Sequence, residues 1–199
     1  MTEISSATFT IADHSIHTLT AGTPGNRAVV FLHGKAFQAE TWRELGTIEL
    51  LAENGFFVLA LDLPGFGQSP AAELTADQVI SEALKKHRIS DPILVGPSMG
   101  GQIALEFSLA HPATLSGLVL IGAVGVETNR DRLPDLGVKT LIVWGENDHI
   151  SAPENGRTLS QLIPDNRLVV IQGAKHACYL EQPDTWHKEL LNFIKSFSN

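Results

Sequence analysis

Ile93-Leu94-Val95-Gly96-Pro97-Ser98-Met99-Gly100-Gly101-Gln102-Ile103-Ala104 is an apolar run that breaks into Gly-x-Ser-x-Gly and resumes as a helix. A strand that hands a serine to the start of a helix is the setting in which this pattern becomes a nucleophile elbow. The backbone at such a serine is strained and its surroundings are tight, so flanking side chains must be nearly absent, as at Gly96 and Gly100. Gly101 and Ala104 let the following helix lie close to the strand. The turn also sets Ser98 at a helix N-terminus, where unpaired amides and the dipole favour developing negative charge. The amide of Met99 is then one natural oxyanion donor.

Outward from this elbow, short apolar, β-branched runs alternate with stretches of helical period. Strands are expected over 28–32, 56–62, 92–95, 117–121, 139–144 and 167–171. Alternation of this kind predicts an α/β fold: a mostly parallel, doubly wound sheet with helices on both faces. Ahead of it, residues 7–19 alternate weakly and reach Ala21-Gly22-Thr23-Pro24-Gly25, which predicts an antiparallel edge hairpin. Thr41-x-x-Glu44, Thr75-x-x-Gln78 and Ser151-x-x-Glu154 match the capping box of a helix start. Trp42, Leu45, Ile48 and Leu51 make one apolar stripe ended by Asn54-Gly55. Val79, Ala83 and Leu84 make a second. A last helix from Pro183 is expected to bury Trp186, Leu190, Phe193 or Ile194, and Phe197.

A serine hydroxyl needs a base, and the base needs a group that fixes its tautomer. Asp148, in Trp144-Gly145-Glu146-Asn147-Asp148-His149, follows the strand 139–144. His176, in Gly173-Ala174-Lys175-His176, follows the strand 167–171. Both lie at carboxyl ends of parallel strands, the edge where open α/β sheets place their sites. Ser98, His176 and Asp148 are therefore the expected nucleophile, base and acid, with Glu146 the rival acid. His33 closes the strand 28–32 and opens His33-Gly34-Lys35-Ala36, read as the oxyanion loop. Its donor is the amide of Lys35 or Ala36, and His33 holds the loop by hydrogen bonding. His111 and His149 are expected in structural or rim positions. His14, His17, His87 and His187 fall in peripheral segments without companion ligands, so no metal is implied. No glycine-rich phosphate loop follows a strand, so no cofactor is implied either.

The chain has 199 residues, 43% hydrophobic and 18% charged, the size and composition of one globular domain spanning 1–199. Lys and Arg number 14 against 22 Asp and Glu, a net charge of −8, which disfavours nucleic acid and anionic membranes as partners. The one cysteine, Cys178, and the absence of a leader pattern at Met1-Thr2-Glu3-Ile4 point to the cytoplasm. No apolar run approaches the roughly 20 residues that span a bilayer.

His33-Gly34, Asp62-Leu63-Pro64-Gly65-Phe66-Gly67-Gln68-Ser69, the elbow at Ser98, Trp144-Gly145-x-x-Asp148 and Gly173-x-x-His176, in this order, resemble the α/β-hydrolase superfamily. Within it, Leu32-His33-Gly34-Lys35-Ala36-Phe37-x-x-Glu40-Thr41-Trp42 with Gly46-Thr47 looks like the small, cap-less group of CCG1-interacting factor B proteins. That resemblance implies hydrolysis of small activated esters. It also implies a second activity, removing acetyl from protein lysines and passing it to coenzyme A. The elbow departs from that group's pattern, because Gly96 and Gly100 give the general hydrolase form. Only about 17 residues separate the strands ending at Ile121 and beginning at Lys139, too few for a cap of several tens. The expected substrate is thus a small-molecule short-chain ester or thioester; the cations Lys35 and Arg130 or Arg132 read first as solvated surface charge, with attraction of an anionic acyl donor as the alternative. A cofactor-free perhydrolase or haloperoxidase, using the same three residues, and a noncatalytic binding protein are the other readings.

Overall fold

The computed structural model describes residues 2–197. Its strands are β1 (Ser5–Ile11), β2 (His14–Ala21), β3 (Ala28–Phe31), β4 (Phe57–Leu61), β5 (Ile93–Pro97), β6 (Gly117–Ile121), β7 (Lys139–Gly145) and β8 (Asn166–Ile171). They form one sheet in the order β1-β2-β4-β3-β5-β6-β7-β8. Pairing is antiparallel from β1 through β2 to β4 and parallel from there to β8. The expected class, a mostly parallel sheet wound on both faces, is the one observed.

The central strands are buried throughout because successive side chains enter different layers. Ala28, Val30 and Leu32 point into one layer and Val29 and Phe31 into the other. The first layer is covered by α3 (Ala76–His87), α4 (Met99–Ala110), α5 (Pro153–Leu162) and a 3-10 helix over Glu127–Asp135. The second is covered by α1 (Glu40–Glu44), α2 (Thr47–Glu53), α6 (Cys178–Glu181) and α7 (Pro183–Lys195). The chain turns from β3 to β4 on one side and from the adjacent β5 to β6 on the other, so it leaves these two neighbouring strands in opposite directions. Loops at such a switch point diverge and leave a crevice at the carboxyl ends.

Several local expectations need correction. The stripe Trp42, Leu45, Ile48, Leu51 is two short helices, broken at Gly46, whose φ of 77° is left-handed. Only Thr75 closes a capping box, with reciprocal bonds to Gln78. Thr41 lies inside α1, and its Oγ1 accepts from the Gln38 amide instead. Ser151 precedes α5 by two residues and spends its hydroxyl on the Ala123 carbonyl, 2.7 Å away. Phe197 lies past the end of α7, packed edge-on against Phe193. His17 is not peripheral: it is buried, and its Nδ1 lies 2.7 Å from Asp62. Among the described residues no helix is long and apolar enough to cross a membrane.

Candidate active site

Ser98 sits between β5 and α4 with φ 52° and ψ −114°, a conformation that ordinary residues avoid. Three features hold it there. Its own amide donates to the Ile121 carbonyl on β6 at 2.8 Å, and its carbonyl accepts from Gln102 and Val124. A Cβ on Gly96 would strike the Gly100 carbonyl, and one on Gly100 would come within 2.6 Å of the His33 carbonyl. A Cβ on Gly101 would lie 2.8 Å from that of Ala123. The elbow therefore has no room for larger residues at these three positions.

His176 follows β8 through the left-handed Gly173, and Asp148 follows β7. The structure brings the three predicted side chains into one chain of hydrogen bonds. His176 Nε2 lies 2.9 Å from Ser98 Oγ, and His176 Nδ1 lies 2.8 Å from Asp148 Oδ2. An acceptor carboxylate at Nδ1 places the ring proton there and leaves the Nε2 lone pair to accept from the serine hydroxyl. Asp148 is only 2% exposed, and its Oδ1 accepts from the amides of Ile150 (2.8 Å) and Ser151 (2.9 Å). Both oxygens are thus committed, which fixes the carboxylate's orientation. Glu146, the rival acid, accepts instead from the Gly173 amide at 2.8 Å and braces the loop that carries His176.

The loop expected to supply an oxyanion donor is pinned from below. His33 Nε2 accepts from the Leu63 amide (3.1 Å), so Nδ1 bears the proton and donates to the Gly34 carbonyl (2.9 Å). Burial holds the pKa of His33 below its ordinary 6.5, in keeping with this neutral form. Trp42 Nε1 donates to the Leu32 carbonyl, and Asp62 Oδ1 accepts from the Ala39 amide. A turn closed by Phe37 N–H to the Gly34 carbonyl makes Lys35 and Ala36 its two central residues. Among the described residues, neither the Lys35 nor the Met99 amide donates to a protein acceptor. Both residues line the cleft beside Ser98.

That cleft is about 440 Å³ and is walled mostly by apolar groups, including Phe37, Val124, Ile150, Ala177 and Tyr179. Arg130 pairs with Glu127 and Arg132 with the Leu109 carbonyl, so Lys35 alone of the three expected cations lines it. Cys178 is buried and its thiol is pushed up to about 12, first by burial and then by the Asp148 charge. It stays protonated at neutral pH. His111 joins the end of α4 to Asp77, and His149 is exposed.

Sequence reasoning missed four contributors. Ile150 is 71% exposed at the cleft, two residues after Asp148, on a loop whose position was itself a signal. Tyr179 is stacked on Trp42 with ring centroids 5.1 Å apart. Gly122, at φ 50°, would direct a Cβ to 3.2 Å from Asp148 Oδ2 and 3.3 Å from His176 Nδ1. Asp62 anchors Ala39 from the end of the neighbouring strand β4; the Asp62–Ser69 motif held the only hint of this.

Comparison with known proteins agrees with this architecture. A family model described as the alpha/beta hydrolase fold matches residues 27–136 and 125–183. Protein ABHD14A of Danio rerio is 41% identical over 83% of this chain and 63% of its own. This chain thus spans less than two thirds of that relative's length. A Rattus norvegicus protein named "Putative protein-lysine deacylase ABHD14B" is 33% identical over 98% of both chains. Among solved structures, a CIB-like hydrolase from Thermoplasma acidophilum superposes with a TM-score of 0.94 at 23% identity, over 99% of this chain and 100% of that one.

Proposed function

Because the chain belongs to the alpha/beta hydrolase fold family, we propose that it is a serine hydrolase that transfers short acyl groups from small esters or thioesters to water. The observation that carries this reading is the unbroken relay from Ser98 Oγ through His176 to Asp148 at the wall of the apolar cleft. Ser98 Oγ attacks the acyl carbonyl carbon as His176 Nε2 takes its proton. The Met99 and Lys35 amides receive the oxyanion, with α4's N-terminus behind it. Collapse of the tetrahedral intermediate breaks the bond to the alcohol or thiol, which leaves with the proton from His176. Water then attacks the acyl-serine, gives its proton to the same nitrogen, and the acid departs as Ser98 recovers its hydrogen. Asp148 stabilises the imidazolium at each stage.

The cleft's volume lies at the low end for small-molecule sites, and the 3-10 helix over Glu127–Asp135 is the one helical element in the short connection between β6 and β7. This supports short acyl groups. The test is a panel of aryl esters and acyl-CoA thioesters from acetyl upward, run on the native protein and Ser98→Ala. Activity falling with chain length and vanishing in the variant is expected, with a fluorophosphonate adduct on Ser98. Undiminished turnover by folded Ser98→Ala refutes the reading.

A second reading is removal of acyl groups from protein lysines. It is favoured by the name of the rat relative and by a cleft without an overlying cap, which a lysine side chain on a folded protein could enter. Release of acetate from an acetyl-lysine peptide, dependent on Ser98, separates it from action on small esters alone.

A further inference from the structure

A second serine, histidine and aspartate are joined in the same way elsewhere in the molecule. Ser6 Oγ lies 2.9 Å from His17 Nε2, and His17 Nδ1 lies 2.7 Å from Asp62 Oδ2. The β1–β2 register explains the meeting: Thr8 is opposite His17, so Ser6, two residues along, shares its face. His17 and Asp62 are each 2% exposed, whereas Ser6 is exposed on the edge strand. Asp62 Oδ2 also accepts from the Gln68 amide and Oδ1 from Ala39, so the carboxylate cannot turn away from the ring. A carboxylate acceptor at Nδ1 again leaves the Nε2 lone pair facing a serine hydroxyl. The group opens on a cleft of about 310 Å³ lined also by Gln38, Arg43 and Gln68, which shares no lining residue with the cleft at Ser98.

We propose that Ser6 is a second, acylatable nucleophile, activated by His17 and Asp62, that takes an acyl group from activated esters and keeps it. Ser6 Oγ forms a bond to the acyl carbon while its proton passes to His17 Nε2. The bond from that carbon to the leaving aryl oxygen breaks, and the aryloxide departs as the phenol with this proton. Ser6 stands in an extended strand and not at a helix N-terminus, so no helix dipole supports the oxyanion of the following hydrolysis. An activated aryl ester tolerates that lack in the acylating step because its aryloxide leaves readily, whereas the alkyl ester at Ser6 has a poor leaving group, so acyl-Ser6 accumulates where acyl-Ser98 turns over.

The experiment incubates folded Ser98→Ala with p-nitrophenyl acetate and maps the adducts by peptide mass spectrometry. Ser5, exposed in the same strand, is the internal reference. General-base assistance predicts that Ser6 acetylates on the order of 10²-fold faster than Ser5. In the Ser98→Ala background His17→Gln should bring Ser6 down to the Ser5 rate and Ser6→Ala should remove the adduct, while Ser6→Ala in the otherwise native protein should leave Ser98-dependent turnover unchanged. A hydroxyl that merely capped the buried ring nitrogen would behave otherwise. Absence of an adduct on Ser6, a rate no greater than that of Ser5, or a rate unchanged in folded His17→Gln overturns the proposal. The Ser6-to-Ser5 ratio is read within one protein, so the outcome stands even if His17→Gln fails to fold.

Discussion

Replacing Asp148 by Asn changes one oxygen to an amide nitrogen and poses a forced choice. In one orientation the amide oxygen keeps the bonds from the Ile150 and Ser151 amides, at 2.8 and 2.9 Å, and the NH2 group faces His176 Nδ1. The ring must then accept at Nδ1 and carry its proton on Nε2, where it can no longer take one from Ser98. In the flipped orientation the correct tautomer returns, but two backbone donors, the buried Ser151 amide and the part-buried Ile150 amide, confront an NH2 group. Leaving each unsatisfied costs about 1–3 kcal/mol, so the productive flip lies about 2–6 kcal/mol uphill. At 1.36 kcal/mol per decade, kcat falls between about 30-fold and about 3 × 10⁴-fold. Loss of the charge that stabilises the imidazolium pushes the value toward the upper end. The assay is steady-state hydrolysis of p-nitrophenyl acetate, with thermal unfolding to verify the fold. A kcat within threefold of native in a variant of native-like Tm would refute the assigned relay.

Three further outcomes follow from the same geometry. Burial lowers the pKa of His33, and likewise those of His87 and His187, so between the folded and the ordinary value of 6.5 the unfolded chain binds more protons. Stability therefore falls as pH drops below about 6.5, and the slope should be shallower in His33→Gln, measured by denaturant titration across pH 4.5–7.5, about the range where histidine titrates; equal slopes would count against it. Ile150→Ser should raise KM for a butyryl ester about three- to tenfold with little change for acetyl, since part of one buried aliphatic side chain is worth about 1 kcal/mol. Cys178, buried with its thiol at about 12, should resist iodoacetamide at about pH 8 in the native protein and react once unfolded.

The parallel strands were legible because each is short, apolar and bounded by turn residues, and β5 and α4 were legible because glycine leaves so few alternatives around Ser98. The break at Gly46 was hidden, since two short helices that share a face keep the same apolar spacing as one longer helix. Ser151 and Thr41 matched a local pattern, but distant carbonyls and neighbouring amides claimed their hydroxyls. His17 was read as peripheral because its partner Asp62 stands 45 residues away, and only the β2–β4 pairing brings the two together. Spacing along the chain locates groups on strand ends; it does not say which buried carboxylate meets which ring.

The connection over Glu127–Asp135 commits only Asn129 and Leu133 to the interior, while Ser98, His176 and Asp148 depend on strand ends and on bonds made elsewhere. It can accordingly serve as a splice point. A longer segment grafted there would roof the cleft and narrow what can enter it without touching the relay of Ser98, His176 and Asp148 beneath.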